Sequence, residues 1–198
     1  MHAEQYRKDW SHSEKIIHKY LGVTWIGTNH RDYEKGEGDP YHYFTYGAGC
    51  SVVEIDCLTG EHQVLSADIV MDVGKSLNPG IDVGQIEGAF VQGYGWLTTE
   101  EIIVEPHGQY NVSGPVDYKI PNVKGIPRDF KVSILKDCPN ERAVYSSKGI
   151  GEPPLVLSVS VYLALRNAIN SARFDAGLPP VRRLNIPLTV ETIRMACP

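Results

Sequence analysis

The stretch Ser51-Val52-Val53-Glu54-Ile55-Asp56-Cys57-Leu58-Thr59-Gly60-Glu61-His62 decides the fold class. β-branched residues from Ser51 to Asp56 read as a strand, and Leu58-Thr59-Gly60 reads as its turn. His62 to Asp72, with Val64, Ile69, Val70 and Met71, reads as the returning strand. Its apolar residues do not alternate strictly, which predicts burial on both faces. A hairpin this close to the start sets the chain apart from a doubly wound parallel sheet.

Working outward, Asn78-Pro79-Gly80 breaks the chain, and Asp82 to Leu97 carries apolar residues at 86, 89, 90, 94 and 97, the spacing of a helix with Asp82 as N-cap. Glycines at 84, 88, 93 and 95 each cost about 1 kcal/mol in an exposed helix. Such a helix is expected to pack closely against another backbone or a bound ligand. Residues 100–104 and 109–112 around Pro106-His107-Gly108 predict a second hairpin, 114–125 an extended loop and 130–135 a further strand. Leu155 to Arg173 is the strongest helix, apolar nearly all round at its start and closed by Gly177-Leu178-Pro179-Pro180. A short final helix runs from Thr189, its N-cap, to Cys197. Before the hairpin, residues 2–20 suggest a surface helix and Tyr33 to Pro40 a loop. Hairpins interspersed with packed helices make an α+β fold.

At 198 residues the chain can bury a real core, and 42% hydrophobic with 22% charged residues is ordinary globular composition. A formal net charge of −5 without any basic tract argues against a nucleic-acid partner. No apolar run approaches the ~20 residues that span a bilayer, and the polar N-terminus does not read as a secretory signal. The four cysteines, Cys50, Cys57, Cys138 and Cys197, form no C-x-x-C pair and do not read as a zinc or iron–sulfur site. Reduced thiols and a cytoplasmic location are the expectation.

One segment carries the chemistry: Ser146-Ser147-Lys148-Gly149-Ile150-Gly151-Glu152-Pro153-Pro154-Leu155. Glu152 sits between a glycine-rich approach and a double proline, ahead of a long apolar helix. Its carboxylate either initiates that helix, where the dipole favours a negative charge, or is held there as a reactive group. Lys148 either lies exposed or holds a nearby carboxylate or ligand.

Several motifs in fixed order carry a resemblance. They are Val53-Glu54-Ile55-Asp56-Cys57-Leu58-Thr59-Gly60, Asp68-Ile69-Val70-Met71-Asp72-Val73-Gly74, Ser76-Leu77-Asn78-Pro79, the run Ile81 to Gly93, Tyr118-Lys119-Ile120-Pro121 and Ser147 to Leu155. Together they resemble the C-terminal part of the xanthine dehydrogenase / aldehyde oxidase family of molybdenum hydroxylases. Residues 36–198 are similar to the second molybdopterin-binding region of that family, half of its molybdenum-cofactor-binding domain, and residues 1–35 match poorly.

The resemblance implies hydroxylation of an aldehyde or a purine-type N-heterocycle at a molybdopterin centre, with oxygen derived from water. It implies that Glu152 is the general base, that Gln85 hydrogen-bonds the pterin and that Ile150 lies with its backbone against the cofactor. A base of this kind is expected in a pocket dry enough to raise its pKa toward neutrality. No metal ligand from this chain is implied, because the pterin holds the molybdenum. The 2Fe-2S clusters and FAD of the family belong to regions outside these residues, and so does the other half of the molybdenum site. The parent enzyme is expected to be a cytoplasmic homodimer.

Three readings stay open: part of such an enzyme, inactive by itself; a non-catalytic module that docks on a full-length relative; or one subunit of a split enzyme. Pro153-Pro154 is more like xanthine dehydrogenases, whereas Ser146 to Gly149 leans toward aldehyde oxidases.

Overall fold

A computed structural model describes residues 43–198, together with 34, 35, 37, 38, 41 and the backbone of 17–20. Four strands form one sheet in the order β1-β2-β3-β4: β1 (Ile17–Tyr20), β2 (Thr45–Ile55), β3 (His62–Met71) and β4 (Asp129–Ile134). The first two pairings are antiparallel and β3 with β4 is parallel. The expected hairpin is present, with a bulge between Val52 and Val53.

Its turn is closed by the Gly60 N–H donating to the Asp56 carbonyl at 2.7 Å and by the Leu58 N–H donating to the Asp56 carboxylate at 2.8 Å. Gly60 is required twice over: its φ is +82°, and a Cβ there would overlap the Val190 carbonyl of the last helix. From Ala67 onward β3 alternates: Ala67, Ile69 and Met71 are buried, while Val70 is 40% exposed. The strand therefore buries one face, not two.

Two helices cover that face. Helix α1 (Pro79–Thr98) brings Ile86, Phe90 and Tyr94, and helix α2 (Val159–Asp175) brings Val161, Leu165 and Ile169. With Val64, Ile69, Met71 and Val73 they form one continuous core, closed at one end by Leu188 and by Ile193 of α3 (Val190–Ala196). The mixture of hairpin, parallel strand and packed helices is an α/β arrangement with a small open sheet, in keeping with the α+β expectation.

Helix α1 begins earlier than its apolar spacing suggested. Asn78, not Asp82, is the N-cap: its side chain accepts the Ile81 N–H, and Pro79 occupies the first turn, where its fixed φ suits the helix. Asp82 instead lies buried inside the first turn, accepting the Ser76 hydroxyl at 2.5 Å.

The α1 glycines divide into two kinds. A Cβ on Gly93 would strike the Leu155 carbonyl and the Ser158 hydroxyl, and one on Gly95 would strike Glu100 and the Pro121 ring. A Cβ on Gly84 or Gly88 would meet nothing within 4 Å among the described residues.

Residues 100–112 are a looser hairpin than expected, with one isolated bridge between Val104 and Tyr110. The expected helix from Leu155 also starts later. Pro153–Ser158 winds as a 3-10 turn, and α-helical geometry begins only at Val159. Two prolines remove backbone donors, and the Ser158 hydroxyl takes the Leu155 carbonyl at 2.6 Å.

Pro153–Asp175 holds 23 residues with a window of mean hydropathy 1.2, long and apolar enough by length and composition to cross a membrane. That corrects the expectation that no such run exists; here Leu157, Val161, Leu165 and Ile169 pack into the core. Gly177, at φ +71°, ends α2 as read, with the Leu178 N–H returning to the Arg173 carbonyl at 2.8 Å. Thr189 caps α3 through the Thr192 N–H.

The surface helix expected within residues 2–20 lies outside the described residues except for Ile17–Tyr20, which pair as a strand. The loop expected at 33–40 is described only in part, with a turn at Glu34 and Lys35.

Candidate functional site

The site is built on the segment that leaves β3. The Asp72 N–H donates to the Tyr46 carbonyl at 2.8 Å, and the Asp72 carboxylate accepts the Gly74 N–H at 2.8 Å. Gly74 turns at φ +67°, with the Ser146 carbonyl where a Cβ would stand. That contact brings the distant segment 144–152 alongside: Gly74 bridges Ser147, Lys75 N–H donates to the Ser146 carbonyl at 2.8 Å, and Lys148 N–H donates to the Val73 carbonyl at 3.0 Å. Tyr145 and Ser146 both adopt positive φ, at +55° and +61°. Two such non-glycine residues in a row persist only where the surroundings over-determine them.

Beyond this crossing the chain runs Lys148-Gly149-Ile150-Gly151-Glu152, and its burial alternates. Lys148 and Ile150 turn inward, Ile150 packing half-buried against the core, while Gly149, Gly151 and Glu152 are exposed. The Tyr43 hydroxyl accepts the Gly149 N–H at 2.8 Å and fixes the near end. The far end enters the 3-10 turn, where Glu152 holds the N-cap position at φ −105° and ψ −35° without a side-chain capping bond. Its carboxylate therefore leaves the N–H groups of that turn uncapped.

Gln85 lies across from this strap, exposed on α1 between Gly84 and Gly88. Its Oε1 is 3.6 Å from the point where a Cβ on Gly151 would stand. The structure therefore brings Gln85, Ile150 and the residue next to Glu152 to one place from segments far apart in sequence. Among the described residues, no side-chain hydrogen bond holds either Gln85 or Glu152. The dry pocket expected around Glu152 is not closed by the described residues, since Glu152, Gln85, Gly84 and Gly88 all face outward. The shallow notch between Tyr46, Met71, Pro153 and Leu157 is apolar and lined by neither Gln85 nor Glu152.

Lys148 is not an exposed lysine. Its ammonium donates to the Asp72 carboxylate at 2.6 Å and to the Phe44 carbonyl at 2.7 Å, with both side chains of the pair more than nine-tenths buried. Nothing local in the sequence marks Asp72 as the partner of Lys148; the Asp72-Val73-Gly74 run at a strand end is its one signal. Among the described residues no three of His, Cys, Asp or Glu gather to hold a metal ion.

The geometry fits an exposed polar ligand bound between an open helix face and a backbone strap. An amide free on both its donor and acceptor sides suits a pterin edge, and side-chain-free glycines let a flat group approach the helix backbone.

Comparison with known proteins is consistent with that fit. Residues 5–127 match the family described as molybdopterin cofactor-binding domain, a match that begins inside the segment 1–35. Xanthine dehydrogenase/oxidase of Gallus gallus is 57% identical over 166 residues, 84% of this chain and 12% of that protein. Aldehyde oxidase 1 of Bos taurus is 49% identical over 193 residues, 96% of this chain and 14% of that protein. Among solved structures, quinoline 2-oxidoreductase from Pseudomonas putida 86 superposes with a TM-score of 0.64 at 28% identity, covering 77% of this chain and 18% of that one. Aldehyde oxidoreductase from Desulfovibrio gigas gives 0.64 at 27% identity, covering 81% and 16%. The chain spans only 12–14% of the length of the curated relatives it matches. With Gln85 and the Glu152 strap meeting on an open helix face, and with these matches over most of its length, the chain belongs to the xanthine dehydrogenase / aldehyde oxidase family of molybdenum hydroxylases, as part of the molybdopterin-binding domain.

Proposed function

We propose that this chain forms one wall of the molybdopterin centre of an oxidoreductase that hydroxylates aldehydes or N-heterocycles, with Glu152 as its general base. Its relatives include proteins named xanthine dehydrogenase and aldehyde oxidase. When bound, the molybdenum cofactor supplies the two-electron redox chemistry and activates the water-derived oxygen.

The residues of this chain do the rest. The Gln85 amide donates to and accepts from the pterin edge. The Ile150 backbone lies against the cofactor, held there by its side chain in the core. The Glu152 carboxylate takes a proton from the oxygen nucleophile as it attacks the substrate carbon. The other half of the site, including its cover from water, comes from polypeptide corresponding to the remainder of the relatives' length, together with the 2Fe-2S and FAD centres. A homodimer in the cytoplasm is the assembly we propose for the whole enzyme.

The observation that carries this reading is the approach of Gln85 to Gly151, directly beside Glu152. The test is Glu152→Gln in the full-length holoenzyme. Turnover of aldehyde and purine substrates falls by at least about 100-fold, the size of a lost general base, with molybdopterin content unchanged. Turnover near the wild-type level would remove Glu152 from the chemistry.

A further inference from the structure

We propose that Lys148 is a positioning residue: with Asp72 it forms a buried charged pin that sets where the Gly149–Glu152 strap stands relative to Gln85. This rests on the reading of Glu152 as the base and adds a device that holds it.

Three segments distant in sequence meet at the Lys148 ammonium. Asp72 follows β3, Phe44 precedes β2, and Lys148 itself stands four residues before Glu152. Two of its donors are directed at the Asp72 carboxylate and the Phe44 carbonyl, and the ammonium lies 5.6 Å from the centre of the Tyr46 ring. The Asp72 carboxylate is equally committed, with one oxygen on Lys148 and the other on the Gly74 N–H. Each charge is paired and hydrogen-bonded, which a buried pair needs in order to persist.

Such a pair is poor evidence for stability, because two well-packed apolar side chains hold a fold as well. What a charged pin adds is a defined place and direction. Lys148 and Ile150 are the two inward anchors of the strap; Ile150 meets greasy core that tolerates sliding, whereas Lys148 meets two point acceptors that do not. The same exit segment also sets the opposite wall, since Ser76 bonds Asp82 and Asn78 caps α1, the helix that carries Gln85. One short run, Asp72 to Asn78, therefore registers both sides of the site. The positive φ of Tyr145 and Ser146 shows that the segment leading into Lys148 is held against its local preference.

Removing Lys148 alone strands a buried carboxylate, so the test uses the double variant Asp72→Asn/Lys148→Met in the full-length holoenzyme. A positioning role predicts a melting temperature close to wild type. Amide hydrogen exchange at Lys148 and Gly149, whose N–H groups donate to the Val73 carbonyl and the Tyr43 hydroxyl, then rises by about tenfold or more, while exchange elsewhere in the chain is unchanged. It also predicts that kcat falls by about 100-fold, as for a reacting group misplaced by roughly 1 Å, with KM changed by less than about threefold.

Should the double variant fail to fold, Lys148→Arg keeps the charge but replaces a point donor by a planar fork, and gives the same local exchange signature. Exchange at Lys148 and Gly149 unchanged in a folded variant, or raised evenly over the whole chain, overturns the proposal. If the wild-type enzyme turns over neither aldehyde nor purine, the reading of function fails, while the exchange difference still decides the role of Lys148.

Discussion

His62 shows what a single side chain contributes here. Its Nε2 meets the Tyr94 hydroxyl at 2.9 Å, while its Nδ1 is buried with no partner among the described residues. Burial lowers its pKa below 6.5, because a charged imidazole is poorly solvated there. The folded protein thus holds His62 neutral when the unfolded chain has begun to protonate. That contribution is fully present above pH 6.5 and is lost as pH falls from 6.5 toward the folded value. Melting temperature should drop between pH 7.5 and pH 5, and His62→Gln should remove part of that drop; an identical pH profile in the variant would contradict the assignment. The histidine gave no hint of this in the sequence, because its partner Tyr94 lies on another element. Lys148 is similar: the residue type allowed an exposed lysine or a buried partner, and only the fold chose Asp72. Glu152 was legible as a candidate because Gly151 and Pro153-Pro154 flank it, whereas its nearness to Gln85 depends on tertiary packing.

Helix α1 is the element that ties fold to site, and its glycines separate the two tasks. Gly93 and Gly95 face neighbours that leave no room for a methyl group; Gly84 and Gly88 face open space beside Gln85. In urea unfolding, Gly93→Ala should destabilise by about 1–3 kcal/mol through overpacking. Gly84→Ala should stabilise by roughly 0.5–1 kcal/mol, since it only gains helix propensity. Equal effects at the two positions would contradict the packing described. Local pattern revealed the hairpin and the later helices because alternation, turn residues and caps act over a few residues. The start of α1 is ambiguous in the sequence because Asn78 and Asp82 are both residue types that cap helices, and the structure uses Asn78. The 3-10 winding of Pro153–Ser158 depends on a hydroxyl three residues from its carbonyl, and the parallel pairing of β3 with β4 joins segments some sixty residues apart. Neither has a signature in periodicity. Ile17–Tyr20 form a strand because β2 offers an edge, which their own mixed composition did not disclose.

At the scale of the whole molecule, the described surface carries many large apolar side chains. Ile102, Ile103, Val104, Tyr110, Val116 and Val123 are all at least 46% exposed in the segment that joins α1 to β4, and Ile81 and Trp96 are more than half exposed on the Gln85 helix. Such density exceeds the scattered apolar residues of an ordinary surface and matches a chain that spans 12–14% of its relatives' length. The family was legible from the motifs alone, whereas the approach of Gln85 to Gly151, on which the proposed wall rests, depends on tertiary packing. The most direct measurement is a structure of the full-length, molybdenum-loaded enzyme. The account predicts the Gln85 amide hydrogen-bonded to the pterin and the Glu152 carboxylate facing the same bound group from the strap pinned by Lys148; a Gln85 covered by protein, with the cofactor bound away from both residues, would contradict it.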